Sequence, residues 1–193
     1  TICDFNGDGR QDLAAAAMFY EDRRADPVTS NQGAVFIYMG DESGLDSVPD
    51  IVLGKTLQDG SLQNHANLRM GEFGASLASG DFDGDGHCDL AAGSMRFESN
   101  TGLIHLFMGY GDEEVRRGGV SKSPSMLITE TRLDIDGIPV QSGQMGRAIE
   151  MGDVNADGKD DLVFSQMVGD VTGRDGGVTY MFLGRELQGV AEC

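Results

Sequence analysis

Four aspartates stand at positions 1, 3, 5 and 9 of the stretch DFDGDGHCDL, residues 81 to 90. Asp81, Asp83, Asp85 and Asp89 are hard oxygen donors, and that many carboxylates in one tight loop repel one another unless a cation joins them. Near copies occur as DFNGDGRQDL at 4 to 13 and DVNADGKDDL at 153 to 162. They supply Asp4, Asn6, Asp8 and Asp12, and Asp153, Asn155, Asp157 and Asp161. No Cys or His occupies a side-chain ligand position, so the donor set suits calcium rather than zinc. Glycine at position 6 (Gly9, Gly86, Gly158) accepts a positive φ and can turn the position-7 carbonyl back towards the ion. Arg10, His87 and Lys159 are then backbone ligands, which accounts for their dissimilar side chains. Up to three Ca2+ ions are expected.

An EF-hand needs a bidentate Glu at position 12 with a helix on each side. Position 12 is Ala15, Ala92 or Phe164, none of which can bind calcium, and Leu follows each position-9 Asp directly. A different scaffold must therefore carry the loops.

The loops recur 77 and 72 residues apart, the mark of a repeat architecture. An octapeptide follows each one: GAVFIYMG (33 to 40), GLIHLFMG (102 to 109) and GVTYMFLG (177 to 184). Their β-branched and aromatic runs between glycines read as strands. QDLAAAAM, CDLAAGSM and DDLVFSQM form a second strand type, made largely of small residues. Phe73 to Ala78 and Ala148 to Met151 are extended candidates ahead of two loops, and DIVLG (50 to 54) and SMLITET (125 to 131) supply a fourth kind. Four antiparallel strands per repeat, with the acidic loop between the first two, make a propeller blade. The expectation is an all-β chain holding about two and a half to three blades. The blades are a partial one over 1–69, a complete one over 70–143 and a partial one over 144–193, with the first strand of the first blade missing.

These repeats resemble FG-GAP repeats, the blades of the integrin α-subunit β-propeller and its bacterial relatives. Phe73-Gly74 matches the opening Phe-Gly, SGDFDGDGHCDLAAGS the calcium core and GLIHLFMG the closing strand. Met145-Gly146 replaces Phe-Gly in the third copy, and Met18, Met95 and Met167 stand where the family carries proline. The resemblance implies structural calcium, a secreted or cell-surface location, and ligand binding on the face opposite the loops. The loops on that face contain Tyr20, Arg23, Arg24, Arg96, Phe97 and Arg174, types favoured in interfaces. It also implies a piece of a longer propeller, whose open faces would meet neighbouring blades or another copy of the chain. The methionines read mainly as packing residues.

A net charge of −18 argues against nucleic acid, whose phosphates call for Lys and Arg. Ten of the acids stand at the loop ligand positions, so three divalent ions would offset six charges. No run of 18 apolar residues suggests a membrane span. Cys3, Cys88 and Cys193 are too few for a disulfide scaffold, although Cys3 and Cys193 could meet across a ring. His105 stands where its sibling octapeptides carry Phe36 and Tyr180, and reads as packing. No nucleophile–base set or phosphate loop stands out, so the chain itself is not expected to be an enzyme. Two functions fit: a calcium-stabilised module binding a protein or glycan outside the cell, or an accessory propeller of a secreted hydrolase or phospholipase-like enzyme.

Overall fold

The computed structural model describes residues 1–21, 33–54, 71–111, 118–129, 143–167 and 177–185. Nearly all regular structure in them is antiparallel strand. The first blade consists of β1 (Ile2–Cys3), β2 (Asp12–Ala17) and β3 (Ala34–Tyr38), then a small hairpin of β4 (Gly40–Asp41) and β5 (Gly44–Leu45), then β6 (Ile51–Leu53). The second consists of β7 (Phe73–Gly80), β8 (Asp89–Ser94), the single-turn helix α1 (Phe97–Asn100) and β9 (Leu103–Phe107). It continues through the hairpin β10 (Gly109–Tyr110) and β11 (Gly119–Val120) to β12 (Met126–Thr129). The third has β13 (Ala148–Gly152), β14 (Asp161–Gln166) and β15 (Val178–Phe182).

Two blades are four-stranded, ordered β1-β2-β3-β6 and β12-β9-β8-β7, and the third sheet is β13-β14-β15. The expected gap at the start of the first blade is corrected: Ile2 and Cys3 pair with Leu13 and Asp12 and fill the first-strand place. The closing glycines of the first two octapeptides, Gly40 and Gly109, begin small hairpins between the third and fourth strands of their blades.

Alternation along the strands gives each sheet two faces, and the cores lie between blades. One cluster joins Phe5, Val35, Ile37 and Leu53 of the first blade to Phe73, Leu90 and Phe107 of the second. The other joins Ala91, Ile104, Leu106 and Ile128 of the second to Met145, Ile149, Leu162, Phe164 and Tyr180 of the third. The second blade is thus covered on both faces, and every residue of β8 and β9 is buried. Small side chains such as Ala91, Ala92 and Gly93 suit that position, because two sheets press on the same strand.

The glycine that opens each of the first two octapeptides belongs to this seam. Gly33 and Gly102 form parallel bridges to Phe73 and Met145, the first residues of the next blades. A β-carbon at Gly33 would collide with the Phe73 carbonyl, and one at Gly102 with that of Met145. Met145, like Phe73, is wholly buried, so the flexible thioether fills the place of the aromatic ring. His105 is buried too, edge-on to Phe73 with ring centroids 5.0 Å apart and within 3.2 Å of the Ser94 hydroxyl. It packs, as its place in the octapeptide implies.

Candidate metal centre

All three acidic loops fold by one hydrogen-bond pattern, which follows from the spacing of their acids. The position-1 carboxylate accepts the N–H groups of positions 5 and 6: Asp4 from Asp8 and Gly9 at 3.1 and 2.8 Å, Asp81 from Asp85 and Gly86 at 3.0 and 2.9 Å, Asp153 from Asp157 and Gly158 at 3.1 and 2.9 Å. The position-3 side chain (Asn6, Asp83, Asn155) accepts from position 5, and the position-5 carboxylate (Asp8, Asp85, Asp157) from the N–H of Arg10, His87 or Lys159. Gly9, Gly86 and Gly158 have φ of 83°, 89° and 88°, as the expected turn requires.

Position 9 does something the sequence reading did not foresee. Asp12, Asp89 and Asp161 are wholly buried, and both oxygens of each carboxylate accept backbone N–H groups. Asp89 takes those of Phe82 and Gly109, both at 2.8 Å. Asp12 takes those of Phe5 and Gly40, and Asp161 those of Val154 and Gly184. The closing glycine of each octapeptide is the distant donor, and a β-carbon there would meet the backbone beside the loop. The recurring Asp and Gly of the repeat are therefore one connection, between the loop and the end of the third strand.

Asp81, Asp83 and Asp89 each place a carboxylate oxygen within 4.8 Å of the others. Oxygens on a calcium ion at about 2.4 Å stand at most about 4.8 Å apart, so this trio fits one coordination sphere. Asp81 Oδ1 already accepts two N–H groups, from Gly84 and Asp85, but each of the three carboxylates keeps at least one oxygen with a lone pair beyond its backbone bonds. Burial pushes the Asp89 carboxyl up to about 7, against the pull of the Gly109 and Phe82 N–H groups and with Asp83 and Asp85 adding to the rise. Asp83 is raised too, first by burial and then by Asp85, with Lys159 opposing. Asp12 is raised by burial, and its neighbours Asp4 and Asp8 add to the shift.

Neighbouring loops also touch. The Cys88 N–H donates to the Asp4 carbonyl and the Asp160 N–H to the Asp81 carbonyl, the same contact at successive seams. At the first seam Cys3 and Cys88 form a disulfide, in place of the Cys3–Cys193 pairing considered from sequence. At the second, the Asp160 carboxylate accepts the Asp81 N–H at 2.9 Å where the first has sulfur. Position-7 side chains reach across as well. The His87 ring lies over Gly7 and the Lys159 stem over Gly84, and the Lys159 ammonium donates to the Asp83 carbonyl at 2.5 Å. Arg10 instead reaches Asp8 in its own loop and Glu42.

Three of the candidate recognition residues, Tyr20, Arg96 and Phe97, lie among the described residues just beyond the second strands. Phe97 is only 5 % exposed, which corrects its reading as a surface residue: the turn of α1 directs the ring inwards. Tyr20 is half-buried and edge-on to Phe36. The exposed Arg96 is held at 2.8 Å by Glu72, whose side chain is buried. Arg23, Arg24 and Arg174 lie outside the described residues. Met18, Met95 and Met167 directly follow β2, β8 and β14; the first two are half-buried and Met167 is exposed. Among the described residues no helix is long and apolar enough to cross a membrane.

The FG-GAP repeat family model matches residues 1–38 and 73–107, each stretch holding an acidic loop and its octapeptide strand. Integrin alpha-5 of Xenopus laevis is 32% identical over 128 residues, 65% of this chain and 10% of the relative. Human integrin alpha-IIb is 29% identical over 129 residues, 66% of the chain and 11% of the relative. Phosphatidylinositol-glycan-specific phospholipase D of Rattus norvegicus is 30% identical over 185 residues, 93% of the chain and 19% of the relative. The chain thus spans a tenth to a fifth of the relatives it matches. With its repeated loops, its four-stranded blades and these matches, the chain is an FG-GAP repeat protein of the integrin-α-like β-propeller kind.

Proposed function

We propose that the chain is a calcium-stabilised propeller module that binds a protein or glycan outside the cell. The observation that carries the calcium part is the convergence of Asp81, Asp83 and Asp89 in a loop whose backbone already holds each carboxylate in place. Asp4, Asn6, Asp8 and Asp12 would hold a second ion and Asp153, Asn155, Asp157 and Asp161 a third, with the carbonyls of Arg10, His87 and Lys159 as backbone donors. Calcium, which tolerates varied oxygen geometry, suits such loops better than magnesium. The ion would offset carboxylate repulsion and tie the end of the first strand to the start of the second. The Cys3–Cys88 disulfide supports an oxidising, extracellular setting. Recognition would use the loops at the opposite ends of the second strands, where Tyr20 and Arg96 stand; Arg23, Arg24 and Arg174 follow the first and third of these strands in sequence.

The experiment is thermal melting in calcium and in EGTA. At millimolar calcium and affinities of about 10 to 100 μM, mass action contributes roughly 1.4 to 2.7 kcal/mol per site. Asp85→Ala should remove one site and leave two. An unchanged melt in calcium and EGTA contradicts the reading.

One observation favours a second reading, an accessory propeller of a secreted enzyme: the phospholipase D relative matches 93% of the chain and integrin alpha-5 65%. The parent protein's activity would then reside in another domain, and assay of the native full-length product for lipid hydrolysis separates the two.

A further inference from the structure

Lys159 serves two loops with different atoms. Its N–H donates to Asp157 in its own loop, while its side chain crosses the seam between blades and places the ammonium on the Asp83 carbonyl of the preceding loop. Loop 81–89 is the loop that carries an acid at position 3, where the other two have Asn6 and Asn155. The extra carboxylate and the crossing lysine therefore occur together. At the preceding seam the same place over Gly7 is taken by the His87 ring, above a loop with one acid fewer. Other parts of the third blade fix the same loop: the Asp160 carboxylate and N–H hold Asp81, and the Arg185 N–H donates to the Phe82 carbonyl.

We propose that Lys159 is the residue that sets the cation affinity of loop 81–89 from the adjacent blade. Its ammonium offsets the fourth carboxylate and repels an incoming divalent ion, bringing this loop towards the affinity of its three-acid siblings. The inference rests on the calcium reading of the loops. A fixed positive charge several ångströms from a divalent ion at the protein surface weakens binding by about three- to tenfold, and salt screens the effect.

The test is calorimetric calcium titration of the 193-residue chain with Lys159→Met in two backgrounds. Asp157→Ala disables the lysine's own loop, and Asp85→Ala disables the loop it touches. With Asp157→Ala, adding Lys159→Met should tighten one remaining site about three- to tenfold and flatten its salt dependence. With Asp85→Ala, which removes the site the ammonium faces, the same change should give no tightening of that size at the remaining sites. Lys159→Gln should reproduce Lys159→Met, and Lys159→Arg should bind like the parent; circular dichroism confirms that each variant is folded. Equal affinities with and without Lys159→Met in the Asp157→Ala background overturn the proposal, as does a weakened site there or an effect that persists with Asp85→Ala. If the parent chain itself shows no calcium binding, the calcium reading of the loops fails instead.

Discussion

Asp89 shows how one carboxylate can serve fold and site together. Its two oxygens accept N–H groups separated by 27 positions in the chain, Phe82 and Gly109, so it closes the loop and fastens the end of the third strand. Removing this acceptor strands two buried N–H donors, at about 1 to 3 kcal/mol each. Asp89→Ala should therefore destabilise the chain by about 3 kcal/mol even in EGTA, as measured by urea unfolding. Asp85 is exposed, and its loss should cost little in EGTA while abolishing one calcium site. Equal destabilisation by both changes in EGTA would contradict this division of roles. The pH dependence follows from the carboxyl raised to about 7 against an ordinary value of 3.8. The folded chain then binds the proton more tightly than the unfolded chain, so stability in EGTA falls as pH rises from about 4 to about 7 and levels off above. Calcium replaces the proton among the carboxylates and should abolish that fall. Melts from pH 5 to 8 with and without calcium check it, and the same slope in both refutes it.

The seam between blades is where an element-scale view changes what the residues mean. Cys3 and Cys88 close a covalent loop across 85 positions at the place where the next seam uses Asp160 and the Asp81 N–H. Chain-entropy estimates for a loop of that size give about 4.6 kcal/mol. A Cys3→Ala, Cys88→Ala double variant should melt lower by several degrees, and reductant should not lower it further; an undisturbed melt would show that the disulfide bears no load. The strands were legible in the sequence because apolar runs between glycines, at fixed distances from the acidic loops, have few other readings. The loops were legible because their acids recur at positions 1, 3, 5 and 9. Contacts across seams were not. Cys3 and Cys88 occupy unlike places in their repeats, as do Lys159 and Gly84, so aligning the copies cannot pair them. The double acceptance by Asp12, Asp89 and Asp161 was hidden for another reason: an acid at a ligand position already had an explanation. Phe97 was misplaced because an aromatic next to an arginine in a loop resembles a recognition surface, whereas one turn of helix is enough to bury it.

For the whole molecule the decisive fact is that, among the described residues, the second blade is covered on both faces and its neighbours on one. Register makes the comparison residue by residue: Met181 pairs with Val163 as Leu106 pairs with Ala91. Leu106 and Ala91 are wholly buried against the third blade, whereas Met181 is 55 % exposed and Leu183 52 %. On the first blade Ile2 is 63 % exposed, and Phe36 and Tyr38 are half-buried on the face away from the second. Large apolar side chains left exposed on a sheet face favour association. The two faces differ in sequence and point opposite ways along the row of blades, so one copy's third blade is suited to another copy's first. Such head-to-tail contact does not close at two members and leads to growing assemblies rather than a discrete dimer. The 193-residue chain in calcium should therefore show a mass by light scattering that climbs steadily with concentration. Met181→Lys, placing charge at the centre of the third blade's open face, should shift it towards monomer without changing the calcium-dependent melt. A constant monomeric mass over the same range, with Met181 resistant to mild oxidation, would mean that this face is already covered within the chain.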